Sequence, residues 1–112
     1  IVFDLVSKDT ADHSAVLKQF ANVLREDPDA ELEVVCHGNA VFMLIQGAST
    51  VQEGIQALKK QGHVAFKICA NSMRRYNLRK DQVIPEAEVV PVAILELADR
   101  ESEGWSYIRA GH

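Results

Sequence analysis

The chain predicts an α/β protein: one domain with a mainly parallel sheet between two helical layers. Three observations carry this. Short apolar runs, rich in β-branched residues, alternate with stretches whose apolar residues recur at helical spacing, through all 112 residues. The breaks between them are short and built from Ser, Asp, Gly and Pro. Short right-handed crossovers then lay successive strands parallel, with helices on both faces. There is no internal repeat, low-complexity segment or linker, so residues 1–112 read as a single unit.

Ile1 to Val6 is the first strand, apolar enough to be buried on both faces. Ser7 to Thr10 breaks it and offers N-cap oxygens. A helix is expected from Ala11 to Glu26, with Leu17, Phe20, Ala21 and Leu24 as its buried stripe and His13 on the same inward face. Pro28 ends it. Glu31 to Cys36 is the second strand, and His37 to Ala40 is a loop or helix start. Val41 to Ile45 is apolar on every side, which predicts a short helix partly buried against another subunit. Ser49 or Thr50 is the expected cap of the next helix, with Glu53 placed for a capping box. Val51, Ile55 and Leu58 mark its inner face, Lys59 and Lys60 suit its C-terminal end, and Gly62 is its expected C-cap.

His63 to Ile68 is the third strand. Cys69 follows it directly, and a short helix runs on to about Tyr76. Asn77 to Pro85 is a connection with one helical turn near Lys80 to Val83. Glu88 to Pro91 is a fourth strand. The last helix spans Val92 to Glu103, with Ile94, Leu95 and Ala98 turned inward, and Gly104 stops it. Trp105 to Ile108 is a final strand and Arg109 to His112 a tail.

Composition narrows the function. The apolar fraction is 47%, the charged fraction 25%, and the formal net charge is -4. That balance argues against nucleic acid, which needs a concentrated basic face, and the cluster of Arg74, Arg75, Arg79 and Lys80 is short and local. No apolar run approaches the roughly 18 residues of a membrane span, and no signal peptide pattern occurs. The chain opens at Ile1 without Met, as it would if a few leading residues had been removed. Two cysteines, Cys36 and Cys69, are too few and too far apart for a disulfide scaffold or a zinc site, so a reducing, cytoplasmic setting is expected.

In an open parallel sheet, ligands sit outside the carboxyl ends of the strands. That edge gathers Asp9, Cys36, His37, Cys69, Asn71 and Ser72, and His13 at the start of the first helix. Cys69 is the natural nucleophile candidate, because free N–H groups at a helix start favour a thiolate. Asn71 or Ser72 is placed to cap that helix, and Arg74 and Arg75 to add positive charge. His13 and His37 are candidate acids or bases. Cys36 reads as core, with a resolving partner for Cys69 as the alternative. His63 and His112 fall away from this edge. No phosphate-binding glycine pattern, Gly-x-Ser-x-Gly elbow, Cys-x-x-Cys or metal-ligand spacing is present, so no cofactor or metal is expected.

Several stretches together resemble the DsrE/DsrF-like family of small sulfur-relay proteins, which includes the TusD-type carriers. They are Ile1 to Val6, the helix with His13 to Leu17 and Asn22, Val34 to Gly38, Ile68 to Met73, Val89 to Pro91, and Glu103 to Ile108. The Cys69-Ala70-Asn71-Ser72-Met73 segment and the Gly104-to-Ile108 ending are the most specific. The resemblance implies a five-stranded parallel sheet in a three-layer α/β/α sandwich, a trimer or hexamer, and a site at Cys69. It also implies a persulfide on that cysteine, exchanged with sulfur donor and acceptor proteins. The expected function is therefore a sulfur-handling protein, either a carrier or a sulfurtransferase, with His13, His37, Asn71, Ser72 and Asp9 around the thiol. The alternative from another class is a non-catalytic oligomeric module binding a small ligand or a partner's tail. A cysteine hydrolase would need a histidine within hydrogen-bonding reach of the sulfur.

Overall fold

The computed structural model describes residues 1–111; His112 lies outside them. Five strands form one sheet: β1 (Val2–Leu5), β2 (Glu31–Cys36), β3 (His63–Cys69), β4 (Ala87–Val90) and β5 (Tyr107–Ala110). Their order across the sheet is β4-β3-β2-β1-β5, and every pair is parallel. The helices are α1 (Thr10–Glu26), α2 (Gln52–Gln61), α3 (Ala70–Arg75) and α4 (Ala93–Ser102). Two 3₁₀ segments, Gly38–Leu44 and Lys80–Gln82, complete the chain.

The strand order fixes the layers. From β1 to β4 the chain steps one way across the sheet, so right-handed crossovers put α1, α2 and α3 on one face. From β4 it returns to the far side of β1, and the same handedness puts α4 on the other face. The first face holds the main core. Phe3, Leu5, Val34, Phe66 and Ile68 meet Val16, Phe20, Ile55 and Met73 there. Phe20 stacks edge-on to Phe3, with ring centroids 4.9 Å apart. The second face carries a smaller cluster of Val2, Val35, Cys69, Ala93 and Leu97, with Trp105 against it.

Several expected details shift. Val41, Met43 and Leu44 are fully buried, and Ile45 nearly so, in the core of this one chain, so the stripe is not held for another subunit. The 3₁₀ segment bends back over β2, β3 and α3, which cover it on several sides. In α1, Ala21 is exposed and Val16 takes the inward place. In α4 the inward residues are Ala93 and Leu97. Ile94 and Leu95 are 64% and 60% exposed, and Ala98 is exposed too.

The ends of elements also differ. Neither Ser49 nor Thr50 caps α2; Val51 precedes it, and Ser49 Oγ accepts the Val51 N–H instead. Gly62 is the C-cap of α2 as expected, but in an extended conformation, and its value is space: a Cβ there would sit 3.0 Å from Leu24 Cδ2. The last strand is two residues later than expected. Trp105 leaves the ladder to pack beside α4, with the Arg100 guanidinium 5.7 Å from its ring centroid, and pairing begins at Tyr107.

Candidate functional site

The connections leaving the adjacent strands β3 and β4 diverge to opposite faces of the sheet. A crevice at such a divergence is where open α/β sheets bind ligands. Cys69 stands at its β3 side, paired with Val90 of β4. Side chains alternate along a strand, so Ile68 enters the main core and Cys69 faces α4.

The sulfur meets the starts of two helices. Cys69 is the N-cap of α3, and its Sγ accepts the N–H of Ala93, the first residue of α4, at 3.4 Å. Burial pushes the thiol pKa up. The Ser72 N–H and hydroxyl and the Ala93 and Asn71 N–H groups oppose it and prevail, so the thiol is held below its ordinary value. The Asn71 N–H also donates to the Pro91 carbonyl at 3.2 Å, tying the β4–α4 connection to the start of α3. Cys69 is only 3% exposed, so a reagent reaches the sulfur only when this junction yields.

Ser72 links the thiol to the next strand. Its Oγ accepts the Gly38 N–H at 2.8 Å, and its hydroxyl is one of the groups that lower the Cys69 pKa. Gly38 has φ +56, and a Cβ there would sit 3.0 Å from Val6 Cγ1, so glycine suits the turn on both counts. His37 is one residue past the Cys36–Ile68 pair, as is Cys69 on β3, so the two occupy neighbouring positions at the sheet edge. The His37 N–H extends the ladder to the Leu5 carbonyl at 3.1 Å. Its Nε2 lies 2.6 Å from Asp4 Oδ1, and the Tyr107 hydroxyl donates to the other Asp4 oxygen. Asp4 is 7% exposed, and the hydrogen bond from His37, reinforced by Tyr107, holds its carboxyl below the usual range despite burial. An ionised carboxylate only accepts, so the Nε2 carries the hydrogen and Nδ1 is free.

The other predicted residues are placed differently. His13 is buried, and its Nε2 donates to the Ser7 carbonyl at 2.8 Å, pinning the β1–α1 loop. Asp9 is exposed and caps α1 by accepting the Ala11 N–H at 2.9 Å. Asn71 is exposed and accepts from Arg74 Nη2 at 3.2 Å, which turns that arginine onto the amide. Cys36 points to the opposite face of the sheet from Cys69, with its Sγ 4.0 Å from Met43 Sδ, so it is not placed as a resolving partner. Burial pushes its thiol far above the ordinary value. Among the described residues no histidine hydrogen-bonds the Cys69 sulfur, so the arrangement of a cysteine hydrolase is not formed. Nor does any group of His, Cys, Asp and Glu among them have the geometry of a metal site. A hollow of about 430 Å³ between α1 and the start of α2 holds none of the predicted residues.

Asp4 and Tyr107 were not singled out by the sequence. The signal for Asp4 was present: a carboxylate inside an apolar strand run must find a partner.

The chain's similarity to known proteins fits this geometry. The model of the DsrE/DsrF-like family matches residues 1–110. The chain belongs to the DsrE/DsrF-like family. Its fold is shared with the solved structure of MTH1491, a protein of unknown function from Methanobacterium thermoautotrophicum. The two are 25% identical over 96% of each chain, with a TM-score of 0.89. No curated protein matches it significantly. Membership points at the family level to sulfur relay. No helix among the described residues is long and apolar enough to cross a membrane.

Proposed function

We propose that this protein carries sulfur, holding it as a persulfide on Cys69. One observation carries the reading: the sulfur stands at the start of α3 and accepts the N–H that opens α4, and the thiol is held below its ordinary pKa although it is buried. A thiolate is what attacks a sulfane sulfur, and the same donors suit the charge on a persulfide. The sulfur comes from a donor protein or small persulfide and passes to an acceptor thiol. A reducing compartment such as the cytoplasm keeps Cys69 a thiol between cycles. Ser72 and Asn71 serve through their N–H groups and the Ser72 hydroxyl. His13 and Asp9 support the site at a distance by holding the β1–α1 loop.

The protein works as a homo-oligomer, a trimer or hexamer in this reading. Support comes from α4, the one helix on its face of the sheet among the described residues, whose Ile94 and Leu95 turn outward. The test of the sulfur-carrying reading is intact mass after incubation with thiosulfate or an alkyl persulfide. One added sulfur is expected on the wild-type chain and none on Cys69→Ser. An adduct that survives Cys69→Ser contradicts it.

A further inference from the structure

The Asp4–His37–Tyr107 group has no part in the sulfur chemistry described so far. It joins three adjacent strands on the face that bears Cys69, and His37 and Tyr107 each hydrogen-bond one oxygen of the buried Asp4 carboxylate. Such an arrangement fixes an imidazole in one tautomer and one orientation. Nε2 is spent on Asp4, and Nδ1 is left over. The His37 side chain is 21% exposed, so the ring stands partly open to an incoming molecule. The turn after His37 is bonded to the thiol's own loop through the Gly38 N–H and Ser72 Oγ, so imidazole and sulfur share one rigid edge.

We infer that His37, oriented by Asp4 and Tyr107, is the proton donor to the thiolate that leaves when sulfur lands on Cys69. The inference rests on the sulfur-carrying reading and extends it. The Cys69 thiolate attacks the outer sulfur of a donor R–S–SH. A bond forms between Cys69 Sγ and that sulfur as its bond to R–S breaks. As Cys69 ionises, the proton it releases is taken up through solvent by the free His37 Nδ1, and the ionised Asp4 carboxylate holds the resulting imidazolium through Nε2. The electron pair of the broken bond stays on R–S⁻, which takes that proton from Nδ1 and departs as R–SH, leaving His37 neutral with its hydrogen on Nε2. The transferred sulfur keeps its oxidation state, so no oxidant or reductant is consumed. The thiolate itself needs no histidine, because the Ala93 N–H and the start of α3 already favour it. That is why His37 serves the leaving group, and why it need not touch Cys69. Asp4 and Tyr107 are positioning residues, acting through the imidazole.

A choice of donors separates this role from a structural one. An alkyl persulfide expels a basic thiolate that gains from a proton; thiosulfate expels sulfite, which needs none. The rate of sulfur loading on the full chain is followed by intact mass with each donor. His37→Gln is expected to slow loading from the alkyl persulfide roughly 100-fold and to change loading from thiosulfate less than about threefold. Tyr107→Phe keeps the ring and is expected to slow the alkyl reaction less, again without slowing the thiosulfate one; it carries the test if His37→Gln does not fold. Equal slowing with both donors, or no slowing with either, overturns the proton-donor role while leaving the sulfur-carrying reading intact. A wild-type chain that takes sulfur from neither donor overturns both.

Discussion

Ser72 sits where two loops cross, accepting the Gly38 N–H beside Cys69, whose thiol pKa its hydroxyl and N–H help to lower. Ser72→Ala removes the hydroxyl alone. The Cys69 thiol should then titrate at higher pH, and alkylation at neutral pH should slow. Loss of the Gly38 bond should cost about 1 kcal/mol of stability. The pH profile of alkylation and a urea melt measure the two effects separately. Cys36→Ala provides the contrast. It empties a core position, so a loss of roughly 1–2 kcal/mol is expected, while sulfur loading should be unchanged. A loading defect in that variant would give Cys36 a chemical role. At this scale the sequence was informative where side-chain chemistry and strand position coincide, as at Cys69 and His37. It did not distinguish a histidine that pins a loop, His13, from one that faces the sheet edge. That difference depends on which carbonyl or carboxylate the ring meets, and the partner of His37 is 33 residues away in the chain.

Among the elements, α4 departs furthest from expectation, and the charges beneath it give the reason. Its sheet-facing side includes Glu96 and Arg100 as well as Ala93 and Leu97, because the strand face below carries Glu33 and Lys67. Glu33 is 3% exposed. Burial and the neighbouring Glu96 carboxyl push its pKa up to about 8. Arg100 Nε lies 3.2 Å from Glu96 Oε2, near enough to pair in charge but not aligned as a hydrogen bond. A helix-periodicity reading turns the most apolar stripe inward, and here that stripe faces out. The sign of the pH effect follows from a raised acid pKa. Glu33 is protonated in the fold and would be charged in the unfolded chain above the ordinary carboxylate range. Its contribution to stability is therefore full at low pH and is lost as pH rises to about 8. Glu33→Gln should flatten the fall in stability across that window and leave the variant the more stable of the two at pH 8. Urea melts at several pH values would show it, and parallel curves for both proteins would contradict it.

On the scale of the whole molecule, the alternation of strands and helices was legible because period and punctuation agree along the chain, and the sheet is five-stranded and parallel as expected. The sequence alone was less able to say how unequal the two helical layers are. Among the described residues, three helices and a 3₁₀ segment build one side and α4 alone the other, a consequence of where β5 joins the sheet. It also misjudged which apolar stripe is left over: Val41 to Ile45 is covered by its own chain, and Ile94 and Leu95 are not. If the protein self-associates through α4, light scattering should give an oligomer at micromolar concentration. Ile94→Glu with Leu95→Glu should reduce it to a monomer without unfolding, since neither side chain is in the core. An oligomer that survives the double substitution places the contact elsewhere. The claim on which the functional account depends is that sulfur rests on Cys69. The most direct measurement is peptide-resolved mass spectrometry after loading with thiosulfate, with free thiols and persulfides blocked differently. The account predicts one extra sulfur on the peptide that contains Cys69 and none on the peptide that contains Cys36. Sulfur on Cys36, or on neither, would contradict it.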